Sequence, residues 1–196
     1  MNTFRSPRIT LPFIALAAFL AANIATAAEA PEPNPVAIGQ QAPDFKIRDS
    51  AGQEIDLAAL TAKGPVLVRL TCGCLGCNKE LPYFQELHAA YKDKGLVSLA
   101  VFKEADVKVE AYVKEKKLDM LYAVDSKGES WKVFHTKTMP SNFLIEKGGR
   151  IVAISTGCDP SGLTATRLSE KAAALVGADK VDVRTKVNDP ATPPAK

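Results

Sequence analysis

Apolar and polar positions along this chain repeat with two periods, and the switches between them mark out its elements. Alternation in Phe45-Lys46-Ile47-Arg48 and Ile55-Asp56-Leu57, on either side of Ser50-Ala51-Gly52, predicts a β-hairpin. Val66 to Leu70 is a short apolar run, as in a buried strand. From Leu75 to Tyr91 the period lengthens, and Leu81, Phe84, His88 and Tyr91 fall on one face of a helix. Leu96 to Phe102 is a continuous apolar run but for Ser98, which is what a central strand covered on both faces requires. A helix follows over Asp106 to Lys117. Asn142 to Ile145 and Arg150 to Ser155, separated by Glu146-Lys147-Gly148-Gly149, predict an antiparallel pair, and Leu163 to Leu175 a last amphipathic helix. The pattern is that of an α/β fold without internal repeats.

The two ends read differently. Arg5 and Arg8 precede an uncharged run from Ile9 to Ala28 that closes on Ala25-Thr26-Ala27, the layout of a cleaved signal peptide over residues 1–27. An uncleaved anchor is the rival, and Pro12 with the small residues near the end of the run favours cleavage. Residues 28–36 alternate Pro with small and acidic residues and read as a linker; residues 37–177 hold the folded domain. The Ala, Pro and Lys-rich stretch 178–196 has the composition of a disordered tail. The formal net charge is +3, and two of those units are Arg5 and Arg8, so the mature chain is nearly neutral. Its lysines are interleaved with Glu115 and Asp93, which fits solvated helix faces and excludes a nucleic-acid partner.

Four cysteines change the picture. Three of them lie in Cys72-Gly73-Cys74-Leu75-Gly76-Cys77, between the apolar run and the helix opened by Asn78-Lys79-Glu80. At a helix N-terminus a thiol meets unsatisfied backbone N–H groups and the positive end of the dipole, which favour thiolate, the form that attacks disulfides. Cys74 is therefore read as nucleophile. Cys77, one turn on, is placed to resolve the bond that Cys74 makes. Half of a zinc site is the bland alternative, but a structural zinc wants four ligands and no second pair follows. The reading calls for no metal and no other cofactor. The two histidines add little: His88 fits a core position with its ring nitrogens satisfied, and His135 fits a surface loop better than an approach to the sulfurs.

In order and spacing, the segments Ile38-Gly39-Gln40-Gln41-Ala42-Pro43-Asp44-Phe45, the CxxC, Asn78-Lys79-Glu80-Leu81-Pro82, Thr138 to Ile145 and Gly148 to Val152 resemble extracytoplasmic TlpA/ResA-like members of the thioredoxin superfamily, related to the AhpC/TSA redoxins. The resemblance implies a thioredoxin-like fold, a central mixed sheet flanked by helices, with the hairpin as an N-terminal extension. It implies that Met139-Pro140 is a cis pair beside the sulfurs and that Pro82 kinks the helix. Gly73, Met139 and Gly157 would line the client-binding face. Glu104 stands where some relatives place a carboxylate that exchanges protons with the second cysteine. Gly73 replaces the family's tryptophan, which leaves the sulfurs more open, and Val68 replaces the buried acid of thioredoxins. Cys72 and Cys158 are extra to the pattern; Thr156-Gly157-Cys158 maps to the loop flanking the active site, so a Cys72–Cys158 disulfide, a three-sulfur relay and a free thiol all stand open.

The implied activity is that of a periplasmic or secreted thiol-disulfide oxidoreductase, acting mainly as a reductant on protein cysteines and itself reduced by a membrane electron donor of the DsbD/CcdA type. Gly76, where strong oxidants carry His, leans the same way. Two alternatives remain. Thr71-Cys72-Gly73-Cys74 fits the T-x-x-C of peroxiredoxin-like thiol peroxidases, although Leu67 and Met139-Pro140 stand where that family has Pro and an activating Arg. A Sco-like copper-binding chaperone would use the thiolates with His135, but the spacing is CxxC rather than CxxxC.

Overall fold

The computed structural model of the protein describes Met1 and residues 36–188, so the leader and linker readings, Met1 and Val36 apart, and residues 189–196 fall outside the described residues. Strands β1 (Lys46–Arg48) and β2 (Glu54–Asp56) pair as the expected hairpin, with Ile47 opposite Ile55. Asp56 then caps a short helix, α1 (Leu57–Lys63), its side chain accepting the amides of Ala58 and Ala59.

The main sheet holds β3 (Val66–Thr71), β4 (Val97–Phe102), β5 (Leu121–Val124), β6 (Ser141–Ile145) and β7 (Ile151–Thr156) in the order β5-β4-β3-β6-β7. β3, β4 and β5 run parallel, and β6 and β7 are antiparallel, so the sheet is mixed as the resemblance implied. Helices α2 (Leu75–Tyr91), α3 (Asp106–Lys116), α4 (Glu129–Val133), α5 (Leu163–Val176) and α6 (Val183–Asn188) complete the chain. All six residues of β3 are buried. Successive side chains of a strand point to opposite faces. Leu67 accordingly packs with Phe84 and Leu87 of α2 and Leu168 of α5, whereas Val66, Val68 and Leu70 pack with Phe45, Trp131 and Phe134 on the other side.

Two expectations change. The chain does not become irregular at residue 178: residues 181–188 return to α2, where Val183 is fully buried and Val181 and Val187 pack against the same cluster. Burial of these valines, and hydrogen bonds of the Val181 amide to the Tyr91 hydroxyl at 3.0 Å and of the Ser169 hydroxyl to the Val181 carbonyl at 2.7 Å, outweigh a composition that reads as disordered. His88 is buried as expected, but among the described residues its Nδ1 has no hydrogen-bond partner and Nε2 stands 4.0 Å from Asp119; burial lowers its pKa.

Candidate active site

Strand register places the chemistry at one rim of the sheet. Thr71, the last residue of β3, pairs with Phe102, the last of β4, so Cys72 and Lys103-Glu104 leave the sheet side by side. Leu70 pairs with Ser141, the first residue of β6, which brings Met139-Pro140 to the same rim, and Ser141 pairs with Thr156, which brings Gly157-Cys158 there too. The Met139-Pro140 peptide is cis, and the Pro140 carbonyl accepts the Gly157 amide at 2.8 Å. Segments scattered over the sequence thus meet where α2 begins.

Cys74 is the N-cap of α2, in extended backbone conformation, with its carbonyl accepting the Asn78 amide at 2.9 Å. Its thiol is exposed, while Cys77 and Cys72 are buried. The Cys72 sulfur lies 2.7 Å from that of Cys74 and 3.4 Å from that of Cys77. Partial burial works to raise the Cys74 pKa, but the thiol hydrogen bond from Cys72, that from Cys77 and the amides of Cys77 and Gly76, which face the sulfur without closing a cap hydrogen bond, bring it below the ordinary thiol value. Burial, and the proton that Cys72 holds toward Cys74, push the Cys72 pKa strongly upward. The site therefore separates one exposed, acidic thiol from two shielded ones.

Glu104 sits beside this helix start in a way the sequence did not suggest. Its Oε1 accepts the Gly73 amide at 2.7 Å, and its Oε2 is buried with no hydrogen-bond partner among the described residues. It touches the backbone before the nucleophile. Gly73 is exposed, and a side chain there would first meet the ring of Tyr112 and then Glu104. Tyr112 donates to Asn78 Oδ1 at 3.2 Å, and burial lifts its hydroxyl pKa to about 12. Gly73, Cys74, Phe102, Glu104, Lys108, Val109 and Tyr112 line a cavity of about 290 Å³ that ends at the nucleophile.

Cys158 does not join Cys72: all four cysteines are free thiols, and its sulfur lies 3.1 Å from where a Cβ on Gly76 would stand. It thereby fills the room that a larger residue between Cys74 and Cys77 would need. Burial first, then the negative charge of Glu80, raises its pKa. His135, exposed and with a backbone φ of 47°, is not one of the residues gathered at the sulfurs.

Sequence reasoning missed the ion pair beneath the site. Arg69, on the α2 side of β3, donates to Glu80 Oε2 at 2.8 Å and to Asn142 Oδ1 at 2.8 Å, and its guanidinium stacks 4.0 Å over the Phe84 ring. The side chains of Arg69 and Glu80 are 3% and 1% exposed. The second oxygen of Glu80 accepts the Asp159 amide. One buried carboxylate thus ties the second turn of the redox helix to the central strand and to the loop that carries Cys158.

The sequence model described as the AhpC/TSA family matches residues 38–154. The chain is similar to a thiol-disulfide oxidoreductase ResA of Bacillus thuringiensis subsp. konkukian, at 36% identity over 116 residues, 59% of this chain and 67% of the relative. It is also similar to a ResA of Geobacillus kaustophilus, at 33% identity over 64% of this chain and 73% of that one. Among solved structures, a crystal structure described as a thiol:disulfide interchange protein DsbE from Chlorobium tepidum superposes with a TM-score of 0.65 at 24% identity, covering 72% of this chain and 99% of that chain, which shows the shared thioredoxin-like fold.

Proposed function

This chain belongs to the AhpC/TSA family and is a thiol-disulfide oxidoreductase, and on that footing we propose that it reduces protein disulfides outside the cytoplasm through Cys74 and Cys77. The observation that carries the reading is the asymmetry of the two sulfurs: Cys74 is exposed with a lowered pKa, and Cys77 is buried one turn along the same helix. The Cys74 thiolate attacks a client disulfide, forming a mixed disulfide and releasing one client thiol. The Cys77 thiolate then displaces the second client thiol and closes the Cys74–Cys77 bond. Two electrons pass to the client, which takes up two protons. Glu104 steadies the Gly73 amide beside the nucleophile, and the cavity between Glu104 and Tyr112 takes the residue next to the client cysteine.

The leader pattern, with Arg5 and Arg8 ahead of the apolar run, supports work in the periplasm or beyond, where a membrane dithiol donor of the DsbD/CcdA type restores the reduced state. The reductant direction agrees with Gly76, which Cys158 holds small. Cys74→Ser should abolish reduction of insulin disulfides. Cys77→Ser should trap mixed disulfides with a cysteine-bearing client, most cleanly in a Cys72→Ser background because Cys72 lies 2.7 Å from the nucleophile. Equal residual activity in the Cys74 and Cys77 single variants would sink the assignment.

A further inference from the structure

Two-cysteine exchange leaves Cys72 without a task, yet the fold drives its sulfur into the pair. Among the described residues, Cys72, Cys74 and Cys77 are the one group of three or more metal-binding side chains whose ligand atoms all lie within 4.8 Å of one another. We propose that the reduced protein binds one Cu(I) ion through the three sulfurs of Cys72, Cys74 and Cys77, a site that exists only while the dithiol is reduced.

The argument rests on placement. Three thiolates around one ion, at the roughly 2.3 Å typical of a zinc–thiolate bond, stand about 4 Å apart. The Cys72 sulfur lies 2.7 Å and 3.4 Å from those of Cys74 and Cys77, so small side-chain rotations open the triangle. Cys72 comes from the end of β3 and Cys77 from the first turn of α2, both buried, so two corners are held by rigid elements. The third corner, Cys74, is exposed and adjoins the cavity beside Gly73 and Glu104, which gives an ion a way in. An all-sulfur donor set is soft and selects Cu(I) over harder ions. Zinc completes a tetrahedron, and the cluster offers no fourth side chain: neither Cys158 nor His135 is in it. The excess negative charge of three thiolates on a monovalent ion falls at the positive end of α2.

The site is linked to the redox state without any change in the copper. When a client disulfide takes two electrons from the Cys74 and Cys77 thiolates, a Cys74–Cys77 bond forms and the client S–S bond becomes two thiols with protons from solvent. The ion loses two of its three ligands and leaves as Cu(I).

The test is an anaerobic titration of the full-length reduced protein with Cu(I) against a chromophoric Cu(I) chelator, with X-ray absorption at the copper edge. The expected result is one Cu(I) per chain in a shell of three sulfurs. Binding should be absent in the oxidised protein and weakened in Cys72→Ser by at least about tenfold, the lower end of what loss of even a supporting group around a metal costs. Cys158→Ser should leave stoichiometry and coordination unchanged, which rules out adventitious capture by a free thiol. No copper withdrawn from the chelator overturns the proposal, as does a two-sulfur shell in the wild-type protein or Zn(II) held as tightly as Cu(I). The spectrum of the wild-type protein decides even if Cys72→Ser folds poorly. Insulin reduction by metal-free protein tests the oxidoreductase reading by itself, so either can fail alone.

Discussion

Glu80→Ala removes the buried carboxylate under the active site and leaves the Arg69 guanidinium, 3% exposed, with only Asn142 as a hydrogen-bonding partner and the Phe84 ring as a cushion. Breaking a buried ion pair from one side costs about 3–5 kcal/mol, because the remaining charge stays desolvated. The Asp159 amide also loses its acceptor, but it sits in a part-exposed loop that water reaches, so it adds little. Against a total stability of about 5–15 kcal/mol, the loss is a large fraction. For a domain of this size it corresponds to a fall in Tm of roughly 6–20 °C. Glu80→Gln keeps the shape but only one of the two acceptor oxygens, so its NH2 must face either the Arg69 guanidinium or the Asp159 amide, and it should cost about 1–3 kcal/mol. Arg69→Met with Glu80→Leu should recover much of the loss, since an apolar pair of similar volume carries no desolvation penalty. Urea unfolding of wild type, Arg69→Met, Glu80→Leu and the double variant closes the cycle, with Glu80→Ala measured beside it. A cost of Glu80→Ala below about 1 kcal/mol, or a coupling below about 0.5 kcal/mol, would refute the reasoning. Faster alkylation of Cys158 in Glu80→Ala should accompany the loss, because the loop is freed from α2.

The pH dependence of alkylation reads the Cys74 pKa directly: reaction should rise through a midpoint below the ordinary thiol value of about 8.5, and Cys72→Ala, which removes the hydrogen bond to the thiolate, should move that midpoint upward. Gly73→Trp should fill the cavity against Tyr112 and lower kcat/KM for protein clients by about tenfold or more while changing stability by less than about 1 kcal/mol, because the position is exposed and its nearest neighbour stands at ordinary contact distance; unchanged turnover would show that clients do not use this cavity. Asp159 is held near pKa 2, against its slight burial, by hydrogen bonds from Ser161 and Thr164. A carboxylate depressed below its unfolded value stabilises fully above about pH 4 and loses that effect as pH falls toward 2, so Asp159→Asn should flatten the acid limb of a melting profile.

The strand-to-helix junction at the cysteines was legible because two local signals coincide there: an apolar run ends, and a helical period begins one residue after Cys74. The rim was legible through resemblance, since the order of segments implies which loops meet. What escaped was tertiary. Arg69 interrupts an apolar run, and its partner lies 11 residues on in a different element, so neither residue announces a buried pair. Glu104 stood where a proton-exchanging carboxylate was expected at the second cysteine, but its hydrogen bond goes to the Gly73 amide, a contact set by how β4 ends beside β3. Five-residue α4 is too short to show a period. The C-terminal segment did carry a signal, Val183 and Val187 four apart and flanked by Val181, which the surrounding Ala, Lys and Pro obscured.

That segment has a mechanical meaning. Tyr91, on the last turn of α2, is gripped by Ser169 and by the backbone at Val181, while Glu80 pins the second turn to the central strand. The helix that presents Cys74 is thus anchored like a beam at both supports. Swinging between dithiol and disulfide then falls to the side chains of the first turn, and a chain cut short after Val176 would strip the Val181 grip, leaving the far support, some seventeen residues from the sulfur that must hold its aim, to rest on Ser169 of α5.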